Sequence, residues 1–291
     1  MNWPKESRIR TNYPLKNNST FRIGGCAQFF CEPKDTAELK LLIKIAGQNK
    51  LPVFILGAGS NLVISDKGVR GLVIKLGSPY FKRISLEKGN IRVGSGAALA
   101  QLIKFSRDKS LQGAEFLSGI PGTAGGGLAM NAGCWGSVMG NLVKEAEVMD
   151  KGGRIKNLKR SQIKFVYRKS SLAKYIILSS LLSLKQGKAR EIEKNIKKYL
   201  GERRKSQDLT WPNAGCIFKN PENNSAGRLI ELCGLKGRHV GGAYISERHA
   251  NFILNKGNAS AKDVLRLMRI TGKQVKDKFK LLLEPEIKIW K

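Results

Sequence analysis

Apolar side chains recur at three- and four-residue intervals in several stretches of the chain, and each such stretch predicts a helix with one buried face. Leu39, Leu42, Ile43 and Ala46 follow Pro33 and the capping-box pattern Asp35-Thr36-Ala37-Glu38. Leu99, Leu102 and Ile103 mark a second helix, and Ile192, Ile196, Tyr199 and Leu200 a third. A long fourth one carries Val264, Leu267, Met268, Val275 and Phe279 behind the cap Ser260-Ala261-Lys262-Asp263.

Between the helices lie short apolar runs that predict strands: Val53 to Leu56, Leu72 to Leu76, Ile91 to Val93, Tyr175 to Leu184, Phe252 to Leu254 and Ile287 to Trp290. The chain is a mixture of α and β elements without a fixed-period repeat. A polar, basic stretch from Gln186 through Lys205 is the best candidate for a domain junction, although a helix runs through it.

Length and composition narrow the class. With 291 residues, 41% hydrophobic and 26% charged, the chain can bury a large core, and two domains are expected. The N-terminus lacks the apolar core of a signal sequence, and the run from Tyr175 to Leu184 is too short to span a bilayer. A cytoplasmic location without a membrane partner is therefore expected. Cys26, Cys31, Cys134, Cys216 and Cys233 show no CxxC spacing, so neither a disulfide framework nor a zinc site is indicated. With His239 and His249 as the two histidines, no multi-histidine metal centre or histidine triad is expected.

Charge adds a question. Lys and Arg number 53 against 22 Asp and Glu, a net +31, which suits a nucleic-acid binder or an enzyme of polyanionic ligands. The basic residues are spread along the chain with no RNA- or DNA-binding signature, so nucleic acid is not the expected partner.

Two glycine-rich segments carry the candidate chemistry. Val53-Phe54-Ile55-Leu56-Gly57-Ala58-Gly59 begins as a Rossmann site begins, but Leu62 stands where the third glycine belongs. The turn Ser65-Asp66-Lys67-Gly68 and the run from Leu72 leave no room for a crossover helix. Gly57 and Gly59 can still aim successive N–H groups into one concavity, with Ser60 and Asn61 as side-chain donors, which suits a pyrophosphate. Gly119-Ile120-Pro121-Gly122-Thr123-Ala124-Gly125-Gly126-Gly127 and Asn131-Ala132-Gly133 form a long small-residue run with hardly any charge, suited to an extended flat cofactor lying along it.

Taken together, the segments resemble the UDP-N-acetylenolpyruvoylglucosamine reductase (UDP-N-acetylmuramate dehydrogenase) family of FAD enzymes. The likeness holds at Thr20-Phe21-Arg22-Ile23-Gly24-Gly25, at Gly57 to Leu62 with Ser65-Asp66, and at Gly119 through Gly133. It continues at Tyr167-Arg168-Lys169-Ser170, Asn213 to Pro221, His249-Ala250-Asn251-Phe252 and Leu283-Glu284-Pro285-Glu286. The resemblance implies an α+β fold: a vanillyl-alcohol-oxidase-type FAD-binding domain over 1–187, made of two α+β subdomains of about 1–75 and 76–187, then a smaller α+β substrate-binding domain over 188–291. The short interval between Arg168 and Cys216 is similar to the family subtype that lacks an inserted substrate-covering loop.

The activity so implied is NADPH-dependent reduction of UDP-N-acetylglucosamine-enolpyruvate to UDP-N-acetylmuramate, a step of peptidoglycan precursor synthesis, by a monomer with non-covalent FAD. Hydride would come from flavin N5 and a proton from a positioned acid, with enolate-like charge between the two steps. By resemblance Gly57, Gly59, Ser60, Asn61, Gly119, Pro121, Gly122, Thr123, Gly126, Asn131 and Gly133 would hold the cofactor. Arg168 would stabilise the enolate through its guanidinium fork, and Glu286 would assist at the same carboxylate, as a neutral donor where burial raises its pKa. Glu284 better fits an edge-strand ion pair. The family's proton donor is a serine, and Cys216 stands in its place; a thiol is the stronger acid, so the chemistry should survive with added sensitivity to alkylation. Lys219, Asn220 and, with less support in so basic a chain, Arg204 would contact the UDP-sugar, while His249 is expected to pack or hydrogen-bond.

Two other readings stay open on the sequence: a sugar or alcohol oxidase of the same FAD fold, and a basic nucleic-acid-binding protein with a decayed flavin fold.

Overall fold

The computed structural model describes Trp3 and residues 7–291. The chain divides into two compact units. The first comprises Met1–Thr11, Phe29–Ala58 and Arg70–Glu202; the second comprises Asn12–Gln28, Gly59–Val69 and Arg203–Lys291. The grouping differs from a single cut after residue 187. Two N-terminal segments belong with the C-terminal third because their apolar residues, Phe21, Ile23 and Val63, are buried in its core.

The expected helices form. We label them α1 (Thr36–Gln48), α2 (Leu99–Asp108), α3 (Ala124–Ala129), α4 (Ala189–Ser206), α5 (Ala226–Leu232) and α6 (Ala261–Phe279). At the start of α1 the Asp35 carboxylate accepts from the Glu38 N–H at 2.9 Å, and α6 begins with a reciprocal Ser260–Asp263 box.

In the first unit, Val53–Leu56 runs parallel to Val69–Lys75, and α1 lays Leu39, Leu42, Ile43 and Ala46 against Leu72, Ile74 and Leu76. A five-stranded antiparallel sheet follows, in the order Ile155–Lys159, Val143–Met149, Ile176–Leu182, Asn90–Gly94, Ile84–Glu87. Its core takes Leu99, Leu102 and Ile103 of α2 together with Ala124 and Leu128 of α3. The mid-chain polar stretch is helical, as α4, and the units part within it, between Glu202 and Arg203.

The second unit has a four-stranded antiparallel sheet, in the order Asn213–Cys216, Phe252–Asn255, Ala243–Ile245, His239–Val240. Leu229 and Ile230 of α5 and Val264, Leu267, Met268 and Val275 of α6 share one core. Lys288–Trp290 pairs in parallel with Leu62–Ile64, so the strand expected near residue 290 closes onto a segment from the N-terminal quarter.

Candidate active site

In the first unit the two glycine-rich segments meet. A Cβ added at Gly57 would lie 2.9 Å from the Thr123 hydroxyl oxygen, a contact that requires the neighbour to shift. Thr123 is held from the other side: its hydroxyl accepts from the Gly126 N–H at 3.3 Å. The adjoining amides of Ala124 and Gly125 donate to Ala97 and Ser95 carbonyls at 2.8 and 2.9 Å. The first turn of α3 is thereby fixed against the strand end that leads into α2. Gly126 is exposed, and a Cβ there would meet only the Thr123 hydroxyl, at 3.5 Å. Gly119 adopts φ +75° beside the exposed Pro121.

Arg168 sits in the turn of a hairpin whose strands are Phe165–Val166 and Lys169–Ser170. Its φ of +55° is left-handed, a conformation that costs a non-glycine residue about 1–2 kcal/mol and persists where surroundings enforce it. Here they do. The Arg168 Nη1 donates to the Gly133 carbonyl at 2.7 Å, and its guanidinium carbon lies 5.2 Å from the Tyr167 ring centre. The Ser170 hydroxyl, buried, donates to the Leu128 carbonyl at the end of α3 at 2.7 Å.

Asn131 completes the clamp. It is 4% exposed; its amide nitrogen donates to the Val166 carbonyl at 3.1 Å and its amide oxygen accepts from the Gly140 N–H at 2.9 Å. Asn131 and Gly133, the residues expected at the cofactor, also hold the Arg168 hairpin. Ser170 and Asn131 thus tie the arginine to the small-residue run.

The second unit brings Cys216 and Glu286 onto neighbouring backbone segments. Cys216 ends its strand after an irregularity in the pairing with Phe252–Asn255, where Gly215 takes φ +73°. The following residues are held on both sides. The Asn251 side chain accepts from the Phe218 N–H at 3.0 Å and donates to the Phe218 carbonyl at 2.8 Å, substituting for a strand. Opposite, the Glu286 N–H donates to the Ile217 carbonyl and the Lys219 N–H to the Glu284 carbonyl, each at 2.8 Å. The Thr20 hydroxyl donates to the Asn213 carbonyl at 2.6 Å, and Asn61 reaches the Glu286 carbonyl at 3.3 Å. Gly59, Ser60 and Asn61 therefore stand in the same unit as Cys216 and Glu286.

The expected ligands of the UDP-sugar fare unequally. Lys219 pairs with Glu284 at 2.6 Å, the role foreseen for Glu284, and Asn220 accepts from the Ala226 N–H at the start of α5 at 3.1 Å. Arg204 is exposed, and its carbonyl accepts from Arg248; the buried arginine is its neighbour Arg203, 8% exposed. The sequence held a signal for this, because 203 continues the buried spacing of Ile192, Ile196 and Tyr199 along α4. His249 packs at a tilt of 44° on Phe252, 4.6 Å between ring centres, and accepts from the Asn251 N–H at 3.3 Å. Burial lowers its pKa below the ordinary value of 6.5. Among the described residues no cluster of His, Cys, Asp and Glu could hold a metal ion, and no helix is long and apolar enough to cross a membrane.

The C-terminal domain family of UDP-N-acetylenolpyruvoylglucosamine reductase matches residues 207–290, and an FAD binding domain family matches residues 27–159. UDP-N-acetylenolpyruvoylglucosamine reductase 2 of Symbiobacterium thermophilum is 45% identical over 285 residues, 97% of this chain and 92% of the relative. The chain belongs to the UDP-N-acetylenolpyruvoylglucosamine reductase family. The reductase of Caldanaerobacter subterraneus subsp. tengcongensis is 43% identical, over 98% of this chain and 94% of its own length. The crystal structure of the Thermus caldophilus reductase superposes with a TM-score of 0.83 at 34% identity, covering 98% of this chain and 99% of that one.

As a member of this reductase family the chain is an FAD-binding oxidoreductase with a vanillyl-alcohol-oxidase-type fold. Its residues fit the cofactor. The close approach of Gly57 to Thr123, the open exposed position at Gly126 and the uncharged, glycine-rich run from Gly119 to Gly127 suit a flat dinucleotide lying close to the backbone.

Proposed function

We propose that the chain reduces the enolpyruvyl ether of UDP-N-acetylglucosamine-enolpyruvate with electrons from NADPH, forming UDP-N-acetylmuramate for peptidoglycan synthesis. Bound FAD supplies the hydride chemistry that no side chain can provide. Gly57, Gly59, Ser60, Asn61, Gly119, Pro121, Gly122, Thr123, Gly126, Asn131 and Gly133 hold it through backbone amides and small polar side chains.

The protein's residues manage charge and protons. Arg168, its fork fixed by the Gly133 carbonyl, pairs with the substrate carboxylate and stabilises the negative charge that develops there. Glu286 acts beside it at the same carboxylate. The Cys216 Sγ gives its proton to the carbon bearing the carboxylate, and the thiolate regains one from solvent. Lys219, Asn220 and Arg204 contact the UDP-sugar, with Lys219 exchanging its Glu284 partner for phosphate. The protein acts as a monomer; residues 1–187 hold the cofactor and supply Arg168 to the substrate, and residues 188–291 supply the other substrate contacts.

The observation that carries this reading is the pairing of Glu286 N–H with the Ile217 carbonyl, which sets the carboxylate residue against the segment that begins with Cys216. An anaerobic visible spectrum tests it. The flavin band should bleach with NADPH and return when UDP-N-acetylglucosamine-enolpyruvate is added; bleaching without return would assign a different acceptor.

A further inference from the structure

The small-residue run continues past Gly133 as Cys134-Trp135-Gly136 and then turns back on itself, Gly133–Cys134 pairing antiparallel with Ser137–Val138. Trp135 and Gly136 make the turn at φ +50° and +77°, the left-handed pair that a two-residue hairpin demands. Asparagine or glycine is the usual first residue of such a turn. A bulky tryptophan there is an outlier that its surroundings must hold in place.

Burial does not hold it, because Trp135 is 44% exposed. The structure instead sets a ring against it. Tyr199 of α4 stacks on the indole, 4.6 Å between ring centres and 25° between planes, an arrangement attractive beyond the area it buries. Tyr199 is itself anchored: with Ile196 on the preceding turn it packs against the core that α2 and α3 share with the five-stranded sheet.

The base of the same hairpin reaches the candidate site. The Gly133 carbonyl accepts from Arg168 Nη1 at 2.7 Å, and the adjoining Cys134 thiol donates to the Phe116 carbonyl at 2.9 Å. Gly133 has no latitude, since a Cβ there would collide with the Ser137 carbonyl oxygen across the hairpin. A tilt of the hairpin therefore carries the carbonyl with it, and with the carbonyl the guanidinium it orients.

We propose that Tyr199 is a positioning residue for the reduction: through its stack on Trp135 it sets the tilt of the hairpin, the place of the Gly133 carbonyl and so the aim of the Arg168 fork. The inference rests on the reading of Arg168 as partner of the substrate carboxylate. Closing the turn alone would not require the pair, because glycine at 135 adopts the same backbone without strain. A displaced fork still meets the carboxylate of bound substrate but fits the developing enolate charge less well, and misplacement by about 1 Å can cost about 100-fold in rate.

The test mixes the NADPH-reduced, FAD-loaded protein with UDP-N-acetylglucosamine-enolpyruvate at a series of concentrations in stopped flow. Tyr199→Leu, which fills the core without a flat ring, should lower the limiting rate of flavin reoxidation about 10-fold or more. The half-saturating concentration should stay within about 3-fold, because ground-state pairing survives. Tyr199→Phe, which keeps the ring, should restore most of the rate. Trp135→Gly, which closes the turn without strain, should slow reoxidation as Tyr199→Leu does. On an Arg168→Lys background, Tyr199→Leu should add no further loss, since the ring acts through the guanidinium. Flavin content, unfolding temperature and reduction by NADPH should match the parent throughout. Parent-like limiting rates in Tyr199→Leu and Trp135→Gly, or a full further loss on the Arg168→Lys background, would overturn the positioning role and leave that of Arg168 standing. Loss of FAD or slower reduction by NADPH in these variants would make the pair a structural prop and overturn it as well. A parent-like rate in Arg168→Lys alone would remove the reading of Arg168 itself, and the role of Tyr199 with it.

Discussion

Arg168 and Gly133 are joined by a hydrogen bond of 2.7 Å from Nη1 to the carbonyl oxygen, made by an arginine in left-handed backbone at a hairpin turn. One edge of the guanidinium is thereby committed to the protein, which orients the rest. Lysine cannot hold the carbonyl and present a fork at the same time. Arg168→Lys is expected to lower the rate of flavin reoxidation by substrate about 100-fold or more while reduction by NADPH and the FAD content stay unchanged. Stopped-flow measurement of the two half-reactions separates these effects; slowing of both would remove Arg168 from the substrate step.

Cys216 follows a glycine at φ +73° and is partly exposed, so its thiol is open to chemistry as well as positioned by its strand. Cys216→Ser should keep substantial activity, and Cys216→Ala should lose most of it. Iodoacetamide should inactivate the parent and spare the serine variant. Cys31, buried, with its pKa pushed up to about 12 by burial and the nearby Glu38, should be alkylated only after unfolding. Parent-like rates for the alanine variant would exclude the thiol as proton donor.

Asp66 accepts from the Ala261 and Lys262 N–H groups at 2.8 and 3.0 Å, adding a second cap to α6 from a segment far away in sequence. Asp66→Ala should cost about 1–2 kcal/mol, the upper range for a lost cap, because two amides are left unpaired. Urea unfolding should show a lower midpoint at constant slope. An unchanged midpoint would show that Ser260 caps the helix unaided.

His249 links stability to acidity. Burial depresses its pKa below 6.5, so the folded protein keeps it neutral while the unfolded chain takes up a proton. Stability from this residue is full above pH 6.5 and is lost as pH falls from there through the folded pKa. The parent should therefore lose thermal stability in that interval more steeply than His249→Gln, which packs similarly without titrating. Parallel profiles would place the acid sensitivity elsewhere.

Much of this was readable in the residues. Capping boxes at Asp35 and Ser260, with apolar spacing behind them, located α1 and α6, since such signals are local. Helix α3 was hidden inside a glycine run of poor helix propensity; it forms because Gly125 and Ala124 amides bond Ser95 and Ala97. The site was legible in its chemistry but not in its supports. Asn131 and Asn251 have no periodic signature, and their task of replacing strand partners for Val166 and Phe218 depends on contacts distant in sequence. The burial of Arg203, beside the exposed Arg204, is marked by the spacing along α4.

The pairing of Leu62–Ile64 with Lys288–Trp290 governs how the protein can be made. A growing chain emits residues 12–28 and 59–69 early, but the core that buries Phe21, Ile23 and Val63 is built from residues 214–287. Those early segments stay without their partners while the whole intervening region is synthesised. The first unit can collapse on the ribosome around α1 and its sheets; the second is assembled only once residues 214–287 have been made, from pieces of three different ages. A fragment beginning at Arg203 would accordingly lack the strand, the Asp66 cap and the Thr20 contact that complete its core, and should emerge unfolded rather than as an autonomous domain.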